Sequence, residues 1–258
     1  MTYVLHLVVY FDIYLIVALS LNLVVGYLGL LTLAHAAYYA IGGYAYALLS
    51  VNFGWSFIPA AAAGAAIAGT LSLALSLPAW RLKGDFFVLV SLSVQALIFS
   101  LLYNWTSLTR GSFGVTGIPE LKVLGLPISS PLAIALFASA IALICALILW
   151  RLQTSAWGRL LVSTREDELA ARGLGKNTRV VKLQAFAIST AMAAIAGALY
   201  AGYVRYLDPS AASLDESILM LSMVIVGGLG NFRGPIAGAA LLVILPEAMR
   251  FADFPEQD

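Results

Sequence analysis

Four residues that ionise or hydrogen-bond strongly stand inside otherwise apolar stretches of this sequence: Asp12, Asn22, His35 and Gln95. At membrane depth such residues rarely face lipid and mark functional sites by default. Asp12 and His35 have the chemistry to hold a proton or a small cation. His35 lies in residues 29–43, GLLTLAHAAYYAIGG, close to Tyr38; a lone histidine there serves equally as a hydrogen-bonded packing element. Asp12 has no evident partner within its own stretch. No Ser–His–Asp or HExxH grouping occurs, so intramembrane hydrolysis has no support. The one cysteine, Cys145, and two histidines leave no disulfide framework or Cys/His metal cage. The expectation is a chain without catalytic residues, metal or cofactor of its own.

A second group is a charged segment, residues 155–182, SAWGRLLVSTREDELAARGLGKNTRVVK. Ser163 followed by Glu166 has capping-box spacing, and Glu166, Asp167 and Glu168 would crowd a first helical turn, where the positive dipole end favours them. Arg172 stands near the other end, with Gly173 and Gly175 available for a left-handed cap. The spacing predicts a short helix over 164–172. Its middle, Leu169, Ala170 and Ala171, is small and apolar, which suits either a plain charged connector or insertion into a partner's cleft. The run from Gly173 to Thr178 faintly resembles a phosphate loop. A Walker A loop, however, requires Gly and Ser/Thr where Ala170 and Asn177 stand, so ATP is expected to bind elsewhere.

Two further stretches are rich in glycine. Residues 227–235, GGLGNFRGP, interrupt an apolar region and leave a ten-residue apolar piece on each side, 217–226 and 236–245. At 1.5 Å per residue each piece covers about 15 Å, half a bilayer. Pro235 and the glycines break a helix there, which fits either a broken helix lining a transport path or a tight turn between short spans. Residues 109–119, TRGSFGVTGIP, cannot form a regular helix. They are a linker or a cap over a path.

The elements that must position these groups follow from composition. The chain has 258 residues, 62% hydrophobic and 10% charged, with a mean hydropathy of +0.95. Soluble domains are about 45–50% apolar and about 25% charged, so this is a membrane protein. A net charge of +1 excludes a polybasic nucleic-acid binder and an acidic disordered chain. Apolar runs long enough to cross about 30 Å of hydrocarbon occupy 4–25, 27–51, 57–77, 86–103, 131–150 and 183–206, with the interrupted region 217–245 as a seventh. The first run, with Asp12 inside it and no basic residue before it, reads as a permanent span rather than a removable signal. Backbone groups in lipid must be satisfied internally, and these runs do not alternate as barrel strands do. The fold class is an all-α polytopic helical bundle of about seven to nine segments, some broken, forming one domain over residues 1–258. Seven of fourteen Lys and Arg fall in 151–182, and Arg81 and Lys83 share its side; only Arg110 and Lys122 lie in 104–130. Nine against two places 151–182 in the cytoplasm and the N-terminus outside, if 27–51 crosses once rather than breaking into half-helices at Gly26, Gly29, Gly42 and Gly43. Glycines and alanines such as Gly64, Gly69 and Gly197 are the packing residues of a tight bundle.

Taken in order, several motifs resemble the permease subunits of branched-chain amino acid ABC importers, a family with urea-permease relatives. They are SLNLVVGYLG at 20–29, His35 to Tyr44, RLKGDFF at 81–87, 109–119, WGR at 157–159, REDELAARGLG at 165–175, KLQAF at 182–186, and VGGLG at 226–230 through Gly234-Pro235 to Ala239. The resemblance implies a bacterial-type inner-membrane subunit that pairs with a second, homologous permease subunit. Two cytoplasmic ATPases would bind ATP and Mg, and a soluble protein would deliver substrate. It implies ATPase coupling through Arg159, Arg165, Glu166, Asp167, Glu168, Ala170, Ala171 and Gly175. A path is expected along Asn22, His35, Tyr38, Gln95, Gly227, Gly228, Gly230, Gly234 and Pro235. Two departures are visible: Thr32-Leu33-Ala34-His35 where the family usually has Ser-Leu-Gly-His, and a short polar end at 250–258 where the family continues with a hydrophobic stretch, so a truncated or unusual end is expected. The competing class is an ion-coupled secondary transporter using Asp12 and His35.

Overall fold

The computed structural model describes residues 2–76, 85–123 and 125–252. The motif at 81–84, with Arg81 and Lys83, and the polar end at 253–258 lie outside the described residues. Among those described there are eleven α-helices: α1 (Thr2–Asn22), α2 (His35–Phe53), α3 (Phe57–Ser76), α4 (Asp85–Asn104), α5 (Thr106–Thr109), α6 (Pro131–Thr154), α7 (Ala156–Glu166), α8 (Glu168–Gly173), α9 (Thr178–Val204), α10 (Leu214–Gly227) and α11 (Arg233–Ala252). Four segments are long and apolar enough to cross a membrane: Tyr3–Tyr27, Phe86–Asn104, Pro131–Thr154 and Thr178–Val204. The first and last of these are 72% buried against 33% and 28% for the other two, so α1 and α9 form the centre and α4 and α6 the periphery.

Small residues make that centre possible. A Cβ on Gly197 of α9 would lie 1.9 Å from the Tyr39 carbonyl oxygen of α2. One on Gly42 of α2 would lie 2.1 Å from the Ala194 carbonyl. The two backbones therefore touch directly. In lipid, where apolar side chains gain nothing by leaving the solvent, such close contact is what holds helices together.

The run expected over 27–51 is two pieces. α1 ends in a π-helical turn, Leu23–Tyr27, residues 28–34 are irregular, and α2 starts at His35. The segment expected to be a loop over 151–182 is largely helical: α6 continues to Thr154 and α9 starts at Thr178. Local caps set these limits. Ser130 accepts from the Ala133 amide beside Pro131 at the start of α6, Ser155 accepts from the Gly158 amide at α7, and Asn177 accepts from the Val180 amide at α9. The 227–235 interruption is a turn joining α10 and α11, helices of 14 and 20 residues packed against each other.

Opposite the end that carries α7 and α8, the loops hold two short ladders. β1 (Val115–Thr116) pairs antiparallel with β4 (Tyr206–Leu207), and β2 (Lys122–Val123) with β3 (Leu126–Pro127). The glycine-rich stretch 109–119 is non-helical after α5, with left-handed backbone at Gly111, Gly114 and Gly117.

Replacing Gly197 with leucine would drive a side chain into the α2 backbone, and overpacking of this kind costs about 1–3 kcal/mol or more. The expected outcome is a large drop in thermal unfolding temperature in detergent, with Gly69→Leu, whose Cβ would meet nothing closer than 3.5 Å, far milder.

Candidate functional site

The segment joining α6 to α9 has a sharp bend. α7 ends at Glu166, and Asp167, with extended backbone, begins α8 by accepting hydrogen bonds from the Leu169 and Ala170 amides. The single helix expected over 164–172 is thus two helices. Ser163 is no cap, because Ser155 has already started α7 eight residues earlier; the Ser163 hydroxyl donates to the Leu160 carbonyl within the helix. Of the two glycines expected to cap, Gly175 takes the left-handed conformation, φ +74°, and Gly173 does not.

Glu168 clamps α8 onto α9. One carboxylate oxygen accepts from Arg172 at 2.6 Å and from the Thr178 hydroxyl at 3.0 Å, and the other accepts from Lys182 at 2.8 Å. Burial alone would raise its pKa, but the hydrogen bond and charge of Lys182, with Thr178 and Arg172, hold the carboxyl below the usual range. The clamp orients the outer face of α8. Leu169 is 71% exposed and Leu174 79%, with Ala170 exposed between them, while Ala171 is turned inward at 3%. Glu166 is exposed, 3.7 Å from Arg165. Arg159, also exposed, donates to the Thr154 carbonyl at the end of α6.

Arg165, though partly exposed and near Glu166, also reaches the end of α1. Its Nη1 donates to the Gly26 carbonyl at 2.7 Å, at the end of the π-helical turn. Its aliphatic stem fills the space beside Gly29, where a Cβ would come within 2.7 Å of it. The α10–α11 turn reaches the same point. The Asn22 side chain accepts from the Gly230 amide at 3.1 Å and donates to the Asn231 carbonyl at 3.0 Å. A Cβ on Gly26 would lie 2.0 Å from the Asn22 side-chain oxygen and 2.4 Å from the Gly230 nitrogen, so only glycine fits there. A cleft of about 290 Å³, lined by Leu28, Gly29, Thr164, Arg165 and Lys182 among others, runs between this junction and the connector.

Half-way along the bundle lies a second cluster, where α2 begins. The amides around its start are taken by side chains: Ser91 accepts from Leu33 just before it, and Ser217 and Gln95 from Ala36 and Ala37 in its first turn. Gln95, at the middle of α4, also donates to the Ala212 and Ser213 carbonyls, just where Ser213 caps α10. The starts of α2 and α10 therefore meet at Gln95. His35 is sealed there at 2% exposure and shares a 2.9 Å hydrogen bond with Ser20. Tyr38 lines a small gap with Ser91 and Phe186.

Five of the nine sequence-predicted path residues thus fall into two groups. Asn22 and Gly230 meet at the junction with Arg165; His35, Tyr38 and Gln95 gather around the start of α2. Gly227 and Gly234 lie in the α10–α11 contact, where a Cβ on Gly227 would be 2.1 Å from the Gly234 carbonyl. Gly228 and Gly230 turn the chain with positive φ, and Pro235 is buried in the first turns of α11. Asp12 finds a partner on another helix, accepting from the Ser139 hydroxyl of α6 at 2.6 Å. Ser91 and Ser217 went unnoticed in the sequence, since one serine in an apolar helix gives no signal of what it caps.

Apolar helices long enough to cross a membrane, two others that begin against them at Gln95, and a short helix clamped off one end define a multi-pass α-helical membrane protein. The family is settled by similarity: residues 3–256 match the model described as "Branched-chain amino acid transport system / permease component", and the chain belongs to that family. It is 36% identical over 270 residues to the high-affinity branched-chain amino acid transport system permease protein LivM of Escherichia coli K12, covering 95% of this chain and 62% of that protein. It is 27% identical over 250 residues to the permease protein LivH of the same organism, covering 90% and 80% respectively. It is 29% identical over 175 residues to the autoinducer 2 import system permease protein LsrC of Salmonella paratyphi B, covering 65% and 49%. The chain thus spans less than two thirds of the LivM relative's length. No solved structure matches it.

Because the folded pKa of Glu168 is lowered, its contribution to holding α8 is complete above the ordinary carboxylate value of 4.5 and is lost as pH falls through the folded value. Hydrogen exchange of the α8 amides, corrected for intrinsic rates, is expected to show protection falling below that pH. In Glu168→Gln, protection should be lower by about 1–3 kcal/mol at neutral pH and should lose this dependence.

Proposed function

We propose that this chain is the membrane-spanning permease subunit of an ATP-driven ABC importer that passes branched-chain amino acids across a bacterial-type inner membrane. In this reading it pairs with a second, homologous permease subunit. Two cytoplasmic ATPase subunits bind ATP and Mg, and a soluble binding protein supplies the substrate from outside. Energy enters through 155–177. The observation that carries the proposal is the α8 knob: exposed Leu169, Ala170 and Leu174 on a helix held rigid by Glu168, joined through α7 to Arg165 and the end of α1. Apolar groups at the exposed tip of a charged connector are costly in water and suit a partner's cleft. Push or pull on that tip reaches the π-helical turn through Arg165, and π-turns recur at functional sites.

The family supports branched-chain amino acids as substrate, since the LivM and LivH relatives carry that description; urea or amides are the alternative within the resemblance. The ion-coupled reading gains no support from His35, which is sealed against Ser20. It is tested in the same experiment.

The complex with its ATPase subunits and binding protein, reconstituted in liposomes, is expected to accumulate labelled leucine only with ATP inside the ATPase-facing compartment. Uptake by the isolated subunit under an ion gradient alone would overturn the proposal. Leu169→Glu is expected to reduce uptake more than tenfold while ATP hydrolysis loses its dependence on binding protein. The inward-turned Ala171 is the wrong place for that test, because Ala171→Trp would disrupt the chain's own packing.

A further inference from the structure

On the far half of the bundle from the connector, α1, α10 and α11 border an open groove of about 520 Å³, within the range of small-molecule sites. Its two walls differ in chemistry. Tyr10 and Tyr14 of α1 form one, with His6 above them; Leu219 and Met223 of α10 with Leu242 and Val243 of α11 form the other. The aromatic wall is fixed in place. Tyr10 packs edge-on against Tyr200 and Tyr203 of α9, with ring centres 6.2 and 6.0 Å away, and His6 shares a hydrogen bond with Tyr203.

Tyr14, which lines this groove, donates to the Glu216 carboxylate at 2.8 Å, so Glu216 stands behind the lining rather than in it. Glu216, Leu219 and Met223 follow at i, i+3 and i+7, so they share one face of α10. The carboxylate therefore closes the stripe whose aliphatic members line the groove. Among the described residues Glu216 has no cationic partner: the ion pairs are Arg165–Glu166, Arg172–Glu168, Lys182–Glu168 and Arg205–Glu120. An acid at this depth without a counter-charge is costly, and such groups pair or line a polar path. An ammonium group would supply the missing charge, flanked by tyrosine rings whose faces attract cations.

We propose that this groove is a binding site for an aliphatic amino acid in transit. Its ammonium group meets the Tyr14 hydroxyl, with the Glu216 carboxylate behind it, and its side chain lies against Leu219, Met223, Leu242 and Val243. The inference rests on the importer reading and adds to it a selective station within the membrane subunit.

The test uses the permease–ATPase complex in lipid nanodiscs without the binding protein, and titrates labelled leucine. Leucine amide, which keeps the ammonium group, is expected to compete; 4-methylpentanoate, which lacks it, is not. Glu216→Gln is expected to weaken leucine binding at least tenfold, and Glu216→Asp to restore part of it. Met223→Phe is expected to shift preference from leucine towards alanine. If Glu216→Gln does not assemble with the ATPase subunits, Tyr14→Phe removes only the hydroxyl and is expected to weaken binding several-fold. Absence of saturable leucine binding, equal competition by 4-methylpentanoate, or unchanged affinity in the assembled variants would each overturn the site. The wild-type complex is assayed in parallel for ATP-driven leucine uptake. Uptake that persists with unchanged variants defeats this inference alone; no uptake at all defeats the importer reading and this site with it.

Discussion

A helix that begins inside a membrane protein exposes amide groups that water does not reach and lipid does not satisfy. α2 begins that way, and much of the architecture answers this requirement. Ser91 and Gln95 come from α4 and Ser217 from α10, so two neighbouring helices must stand at a fixed height beside His35. Gln95 then ties the same point to the carbonyls that precede α10. Each side chain serves a backbone group that would otherwise stand unpaired, which costs about 1–3 kcal/mol or more per group. The depth at which both helices start is therefore set by hydrogen bonding, while the glycine contacts between α2 and α9 set how closely the helices approach.

The connector obeys a different economy. It lies outside the apolar runs, and charge holds it together: Glu168 with Arg172 and Lys182, and the Asp167 cap that bends α7 into α8. Arg165 faces both ways: its Nε lies 3.7 Å from the exposed Glu166, while its Nη1 reaches a backbone carbonyl and its stem the flank of Gly29. Two kinds of material thus meet at the end of α1, a polar scaffold that can rearrange in water and a glycine-rich junction too tight for any other residue at Gly26.

Much of this was legible in the sequence, and the remainder fails for identifiable reasons. The spans of α1, α3, α4 and α6 follow from apolar length. α9 starts five residues before its apolar run because Asn177 caps it and Lys182 is neutralised by Glu168, a contact that hydropathy does not register. The break within 27–51 is signalled by its glycines, but not its form, a π-turn at whose start Asn22 bonds to Gly230, a contact distant in sequence. The connector helix was misplaced because both Ser155 and Asp167 can cap, and Ser163 with Glu166 imitates the pattern between them. Residue type does not separate Ala171 from Leu169, whereas the fold after the bend at Asp167 turns Ala171 inward and leaves Leu169 exposed. The tyrosines of α1 recur at helical spacing, yet without α10 opposite them they read as ordinary interfacial aromatics.

The β1–β4 ladder is only two residues long on each side, Val115 with Leu207 and Thr116 with Tyr206, but it sits directly upstream of the 3-10 turn that feeds α10. Gly114 permits it: a Cβ there would come within 2.5 Å of the Leu207 carbonyl. The loop between α4 and α6 is by this means stitched to the entrance of the half-helix. α10 has no slack to slide along its axis without unzipping the stitch or dragging the surface loop along, so anything that grips that loop from outside grips the helix too.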